Sequence, residues 1–261
     1  MYLVAIINTL NANNITAASI NLCTDQYLYL IANKNQITSL SYMSKDKNIS
    51  FISDKILDIK LNNGRAEEII RQDPDIIFAG LGSSIATVSL LQKLNYKVVN
   101  ISDAKNFKQI KEQVYLIAKL LHREKKGLEL VNKIDNEIKK FFNYSKRKEN
   151  KKVIIISPNG YVTGEDTLVG GILKEIGYTN VTSNLNISSY GRISLEQILY
   201  SDPEVVIIED SYSDSVSLSQ EFLNHSVIKY IVKKGEVLNL NKKLMNCSGP
   251  YSTKIIKELI K

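Results

Sequence analysis

The sequence has no tryptophan, and only two histidines, two cysteines and four prolines among its 261 residues. Each scarcity closes off a class of function. Cys23 and Cys247 lie near opposite ends of the chain and give neither a metal-binding spacing nor a disulfide framework, so a zinc centre built by the protein is excluded. The pair leaves two readings open: one Cys23–Cys247 bond in an oxidising compartment, or two buried free thiols. His122 and His225 stand in charged, helix-like surroundings, and no Gly-x-Ser-x-Gly turn occurs, so a nucleophile would lack both its base and its elbow. No two carboxylates are marked by spacing as an acid and base pair. No apolar run approaches the roughly 18 residues that a membrane-spanning helix needs. Lys and Arg are absent before Lys34, so residues 1–18 lack the positive start of a secretory signal. The apolar run 2–10, followed by Thr16-Ala17-Ala18, is then either a weak or truncated signal peptide or, over 2–7, a first strand.

What is present is ordinary for a globular chain: 44% hydrophobic and 23% charged residues, enough length for one large or two modest domains. Much of the net charge of +7 lies in the run 139–152. No aromatic-and-basic motif, finger spacing or helix-turn-helix accompanies it, so it reads as a solvated helix end and linker and not as a nucleic-acid surface. Just before it, Phe107, Ile110, Val114, Ile117 and Leu121, then Leu128, Val131, Ile134, Ile138 and Phe141, recur at three- or four-residue steps. That spacing predicts helix with one apolar stripe over 103–144.

On either side the chain alternates β-branched runs with helical patterns. The first side predicts strands over 18–22, 37–40, 76–79 and 97–101, with a turn and helix cap at Cys23-Thr24-Asp25. The second predicts strands over 152–156, 204–208 and 237–240 and helices over 168–176 and 251–260. The two sides echo each other. Glu67, followed by Asp73-Pro74-Asp75 and an apolar strand, matches Glu196, followed by Asp202-Pro203-Glu204 and an apolar strand, with identical spacing. The fold class is therefore α/β, with two parallel-sheet lobes on either side of a long helical region.

Gly80-Leu81-Gly82-Ser83-Ser84 follows a strand and opens a helix, with Asp103 about twenty residues on, like the start of a dinucleotide fingerprint. Ile85 stands where the third glycine belongs. A cytosolic nucleotide-dependent enzyme with a phosphate loop over 80–84 is the alternative reading that this motif supports. Open α/β sheets bind ligands at the carboxyl ends of their strands whatever the ligand. The strand-end turns here are 21–25, 158–161, 210–212 and 247–250. With Tyr42, Tyr190 and Arg192 they form a set rich in tyrosine and short polar groups, suited to a bulky, partly polar ligand.

The ordered series of Asn21-Leu22-Cys23-Thr24-Asp25-Gln26, Glu67 with its Asp-Pro-Asp strand, the central helices, Pro158-Asn159-Gly160-Tyr161 through Gly164, Glu196 with its Asp-Pro-Glu strand, and Cys247-Ser248-Gly249-Pro250 resembles the substrate-binding proteins of ferric-siderophore and cobalamin ABC importers. The resemblance covers nearly everything from Ala18 to Lys261. It implies two Rossmann-like lobes (19–121 and 148–261) joined by a single long helix (122–147), with a ligand cleft between them. It also implies a periplasmic, non-enzymatic monomer without a cofactor, carrying a metal chelate. A ferric siderophore is expected before cobalamin or haem, and the partner is the permease dimer of the inner membrane. Ligand contacts are then expected from Asn21, Cys23, Thr24, Asp25, Tyr42, Gly82 and Ser83 on the first lobe. From the second they come from Asn159, Tyr161, Tyr190, Arg192, Tyr212 and Ser248, with Arg192 meeting an anionic group. Glu67 and Glu196 match the family's permease-docking glutamates. Two departures shape these expectations. Without tryptophan, stacking falls to tyrosine, and His122 stands where relatives often carry a helix-breaking glycine, so a break near His122-Arg123 would leave 123–143 as the bridge.

Overall fold

The computed structural model describes residues 15–144, 150–210 and 221–259. In chain order the first lobe comprises β1 (Ala17–Ser19), α1 (Leu22–Ile31), β2 (Ile37–Ser41), β3 (Leu61–Asn62), α2 (Ala66–Ile70), β4 (Ile76–Gly80), α3 (Ile85–Lys93) and β5 (Val98–Ile101). Two long helices follow, α4 (Phe107–Leu120) and α5 (Glu124–Tyr144). The second lobe begins with β6 (Lys152–Ser157), β7 (Tyr161–Thr163), α6 (Leu168–Glu175), β8 (Thr179–Asn180), β9 (Tyr190–Arg192) and α7 (Leu195–Ser201). It continues with β10 (Val205–Asp210), α8 (Glu221–Asn224), α9 (Ser226–Lys234), β11 (Glu236–Asn241), α10 (Lys242–Asn246) and α11 (Thr253–Leu259).

The apolar runs form central strands because both of their faces are covered. Successive side chains on a strand point to opposite faces. In the second lobe Val153, Ile155, Val205 and Ile207 therefore enter one apolar cluster, while Ile154, Ile156, Val206 and Ile208 enter another with Ile198 of α7 and Ile228 of α9. The first lobe repeats this. Ala17, Ile76 and Phe78 face inward, while Ala18, Ile77 and Ala79 face α2 and α3 through Ala66, Ile69 and Leu91. The inward cluster is shared. It runs from Tyr27, Leu28 and Phe78 through Val131 and Ile134 of α5 to Ile155, Ile172 and Ile255.

The first sheet has strand order β3-β2-β1-β4-β5, every pairing parallel. The second has order β11-β10-β6-β7-β9 with β8 also on β6, and here β7 and β9 run antiparallel. The sequence reading anticipated only parallel strands. The turn after β6 explains the reversal. Asn159 (φ 62°) and Gly160 (φ 71°) are both left-handed, which sends the chain straight back along β6 as β7.

A second difference lies at the first strand, which stops at Ser19. The cap of α1 is Asn21, not the Cys23-Thr24-Asp25 turn: its Oδ1 accepts from the backbone N–H groups of Cys23 (2.9 Å) and Thr24 (3.3 Å). The helical region that the apolar spacing predicts over 103–144 is broken at the place the resemblance implies, with His122 left-handed (φ 54°) between α4 and α5. The two helices then cross closely at Gly127, where a Cβ would stand 2.5 Å from that of Ala118. At 21 residues, α5 spans roughly 30 Å.

The lobes are also tied near the chain's end. Cys23 of α1 and Cys247, just after α10, form a disulfide with their Cα atoms 5.2 Å apart, which settles the two readings left open for the cysteines. Phe51 stacks on Tyr251 with ring centroids 4.8 Å apart, and the Thr253 hydroxyl donates to the Glu137 carboxylate of α5.

Candidate functional site

The carboxyl ends of β1, β4 and β5 open onto a cleft of about 230 Å³ that is closed on its other side by the second lobe. The first lobe supplies Asn21, Cys23, Thr24, Tyr27, Leu81, Ile101, Ser102 and Asp103; the second supplies Tyr190, Met245, Asn246 and Ser248. The disulfide forms part of its wall, since Cys23 lines it and Cys247 lies between the lining residues Asn246 and Ser248.

On the first-lobe side most polar groups are already bonded. Asn21 Oδ1 holds the first turn of α1, and its amide group donates to the carbonyl of Leu81, so the turns after β1 and β4 are locked together. Gly80 fits this approach because a Cβ there would lie 3.1 Å from Asn21 Oδ1 and 3.2 Å from the Ile101 carbonyl. The Thr24 hydroxyl donates to the Asn21 carbonyl (3.0 Å), and the Tyr27 hydroxyl donates to Gln113 Oε1 (2.7 Å). Burial, with the Asp103 carboxylate nearby, pushes the Tyr27 phenol up beyond the usual range.

The second-lobe wall is an antiparallel ribbon. Tyr161 pairs with Arg192 and Thr163 with Tyr190, and residues two apart on a strand share a face. Tyr161, Tyr190 and Arg192 thus stand on one face. The Arg192 guanidinium lies 4.7 Å over the Tyr161 ring, with its Nη2 3.3 Å from the Tyr161 hydroxyl. Tyr190 is 59% exposed as a residue, but its hydroxyl end reaches across to the first lobe and donates to Asp103 Oδ2 at 3.5 Å. Desolvation of that end, with the negative charge of Asp103, pushes the phenol up to about 12.

Of the residues singled out in the sequence, the structure brings Asn21, Cys23, Thr24, Tyr190 and Ser248 into the cleft. Tyr161 and Arg192 share the ribbon face of Tyr190, while Gly82 (φ 86°) and Ser83 adjoin the lining residue Leu81. The Ser83 hydroxyl accepts from the Gly80 N–H (3.0 Å), and the Ser84 hydroxyl caps α3 by accepting from Thr87 N. The glycine turn thus closes on itself, and nothing there favours a phosphate loop. Tyr42 lies exposed at the carboxyl end of β2, and Asn159 lies exposed in the turn after β6; neither lines the cleft.

Asp25 is fully buried behind the cleft. It accepts from Ser41 N (3.0 Å), the Ser41 hydroxyl and the Ser44 hydroxyl (2.6 Å), and burial pushes its carboxyl up to about 7. Its geometry makes it a strut under Tyr42 and not a lining group. Tyr212 lies outside the described residues.

Sequence reasoning missed Tyr27, Leu81, Ile101, Ser102, Asp103, Met245 and Asn246. The strand-end rule, extended to the run at 97–101, would have found Ser102 and Asp103.

Glu67 and Glu196 are both exposed and both sit second in their helices, α2 and α7, on the outer faces of the two sheets. The Ser194 hydroxyl beside it holds the Glu196 carboxyl below the usual range. Each helix runs into a left-handed aspartate, Asp73 (φ 44°) or Asp202 (φ 45°), and then a proline. The next acid does the same work in both lobes. Asp75 Oδ2 accepts from Thr16 N (2.7 Å), and Glu204 Oε2 accepts from Lys152 N (2.9 Å), each at the entry to its lobe's first strand.

Among the described residues no group of three or more His, Cys, Asp or Glu is placed to hold a metal ion, and no helix is long and apolar enough to cross a membrane. No curated protein matches the sequence. Solved structures that share the fold include the following three. One is a possible iron-binding (periplasmic solute-binding) protein from Staphylococcus epidermidis, with 20% identity, 94% of this chain and 96% of that one covered, and a TM-score of 0.75. A periplasmic haem-binding protein from Roseiflexus, at 14% identity, covers 94% and 96% with a TM-score of 0.73. The periplasmic vitamin B12 binding protein of Vibrio cholerae, at 13%, covers 94% and 95% with a TM-score of 0.72. The model of the periplasmic binding protein family matches residues 18–229, and the chain belongs to that family, whose members bind ligands and are not enzymes.

Proposed function

We propose that the chain is the substrate-binding component of an ABC importer, capturing a metal chelate outside the cytoplasmic membrane and passing it to the permease. A ferric siderophore comes first as cargo, with cobalamin or haem next. The observation that carries this reading is the cleft itself. It lies between the lobes, at the carboxyl ends of β1, β4 and β5 and against Tyr190, Met245, Asn246 and Ser248 of the second lobe, on a scaffold tied by α5, a shared core and a disulfide. Such a scaffold favours recognition with little lobe movement. The fold neighbours described as iron-, haem- and vitamin B12-binding support the cargo class. The disulfide suits an oxidising compartment.

In this reading Asn21, Thr24, Tyr190 and Ser248 contact the cargo, and Tyr161 and Arg192 extend the wall beside Tyr190. Glu67 and Glu196 dock on basic groups of the permease, one from each lobe, so that the cleft is presented between two fixed anchors. Titrating the chain with ferric chelates, a corrinoid and haem while following tyrosine fluorescence tests the cargo class. A saturable change at micromolar concentration or below is expected with at least one; none with any of them would refute it. Reversing Glu67 and Glu196 to lysine together is expected to abolish co-purification with the permease while leaving that titration unchanged.

A further inference from the structure

Resting on the reading of this cleft as the cargo site, we infer that the cargo is a neutral or cationic chelate that presents a positive group or hydrogen-bond donor to Asp103, and that polyanionic chelates are discriminated against. Among the described lining residues Asp103 is the only charged side chain; no lysine, arginine or histidine lines the cleft. Among the described residues its carboxylate meets one hydrogen-bond donor, the hydroxyl of Tyr190, at 3.5 Å, and no cation. The charge therefore enters the cleft without a cationic partner.

An anion entering the same space would need donors to replace its hydration. Most of the described side-chain donors lining the cleft already donate within the protein, which leaves the hydroxyls of Ser102 and Ser248, and no cationic donor, to meet an anion. The amide of Asn21 is held by the Leu81 carbonyl, the hydroxyl of Tyr27 by Gln113, the hydroxyl of Thr24 by the Asn21 carbonyl, and the amide of Asn246 by the Lys242 carbonyl. A cationic or donor-rich group meets the opposite situation, an acceptor carrying full charge in a partly desolvated cleft. Burial raises both neighbouring phenols, and the Asp103 carboxylate adds to that rise, the same field acting on groups already there.

Two positive features of the chain stand against it, and neither outweighs it. The net charge of +7 belongs to the whole chain and is screened beyond about 8 Å at physiological ionic strength. Arg192 stands on the ribbon face of Tyr190, but it is exposed and rests on the Tyr161 ring, so it acts at the solvated rim and not on the enclosed part. The cleft's 230 Å³ lies below the roughly 300–1,000 Å³ that encloses a whole small molecule. Only one edge or limb of a chelate is therefore enclosed, and that limb meets Asp103.

The experiment titrates the full chain with three ferric chelates: a neutral trishydroxamate, a trishydroxamate bearing a free ammonium group, and a trianionic triscatecholate. The cationic complex is expected to bind at least tenfold more tightly than the trianion, and raising the salt concentration should weaken the cation while sparing the neutral complex. In Asp103→Asn, with folding checked by its melting temperature, the preference for the cationic over the neutral trishydroxamate should fall about tenfold. Tightest binding of the trianion would overturn the inference while leaving the cargo role intact. So would a cation-to-neutral ratio that neither Asp103→Asn nor salt alters. Failure of these chelates, a corrinoid and haem to bind at all would instead remove the cargo role, and this inference with it.

Discussion

The two lobes are alike on their outer sides and unlike where they face each other. On the outside each has a helix with an exposed glutamate in second position, a left-handed Asp before Pro, and an acid that anchors the entry to the lobe's first strand. Even here the devices differ in detail. The Glu68 carboxylate of α2 accepts from Asn63 N (2.6 Å) and Nδ2 (2.9 Å), whereas α7 begins with a reciprocal Ser194–Gln197 cap. At the cleft the first lobe presents short polar side chains fixed by one another, and the second presents a two-stranded ribbon bearing Tyr161, Tyr190 and Arg192. A module repeated on the outside serves something common to both lobes, which docking on a two-fold partner would be. Under the proposed function, divergence on the inside suits a cargo with no such symmetry.

The largest stability effect tests whether the lobes behave as one unit despite that difference. Replacing Cys23 and Cys247 by serine together opens a covalent loop with a sequence separation of 224, and should cost about 2–5 kcal/mol. Thermal unfolding should still show a single transition, because the inward core is continuous through α5. Two separated transitions would mean that the bond, and not the core, joins the lobes.

Next comes Asp25, which has no counterpart at the start of the second lobe's sheet. Its folded-state carboxyl titrates at about 7 against 3.8 ordinarily, so the folded protein binds its proton more tightly than the unfolded chain does. Burial of the charged form therefore weakens the fold fully above about pH 7. That penalty is relieved as pH falls towards about 4, by an amount on the order of 2–4 kcal/mol. Chemical denaturation of the wild type and of Asp25→Asn across this range measures it. The difference in stability between them should shift in favour of the wild type as the pH is lowered. A difference that stays constant with pH would show that Asp25 is not buried in this way.

The smallest effect sharpens the likeness of the outer sides. Asp75→Ala and Glu204→Ala each remove an exposed carboxylate that accepts a strand-entry N–H, so each should cost about 0.5–1.5 kcal/mol in urea unfolding. A cost in one lobe and none in the other would break the equivalence.

The outer module was legible in the sequence because it rests on local chemistry: proline ends a helix, and spacing places glutamate, aspartate and strand in order. The strands with both faces buried were legible as apolar runs for the same reason. The ribbon was not. Tyr161–Thr163 and Tyr190–Arg192 are three-residue strands without alternation, made possible by two left-handed residues after β6 and by pairing across a gap in sequence. Asn21 was read as part of the ligand set, and its role as the cap of α1 was missed because it follows directly on an apolar run. Asp25 looked like a ligand for its position in a strand-end turn, but one turn into α1 its side chain points behind the cleft to Ser41 and Ser44. Whether a residue at a strand end faces the cleft depends on helix phase and on the partner lobe, and neither is local.

The central claim is that cargo is held between both lobes. Amide hydrogen exchange, with and without the chelate found to bind most tightly, tests it directly. Protection is predicted at 81–82 and 102–103 of the first lobe together with 190–192 of the second. Protection confined to one lobe, or lying only along the outer helices, would contradict the account.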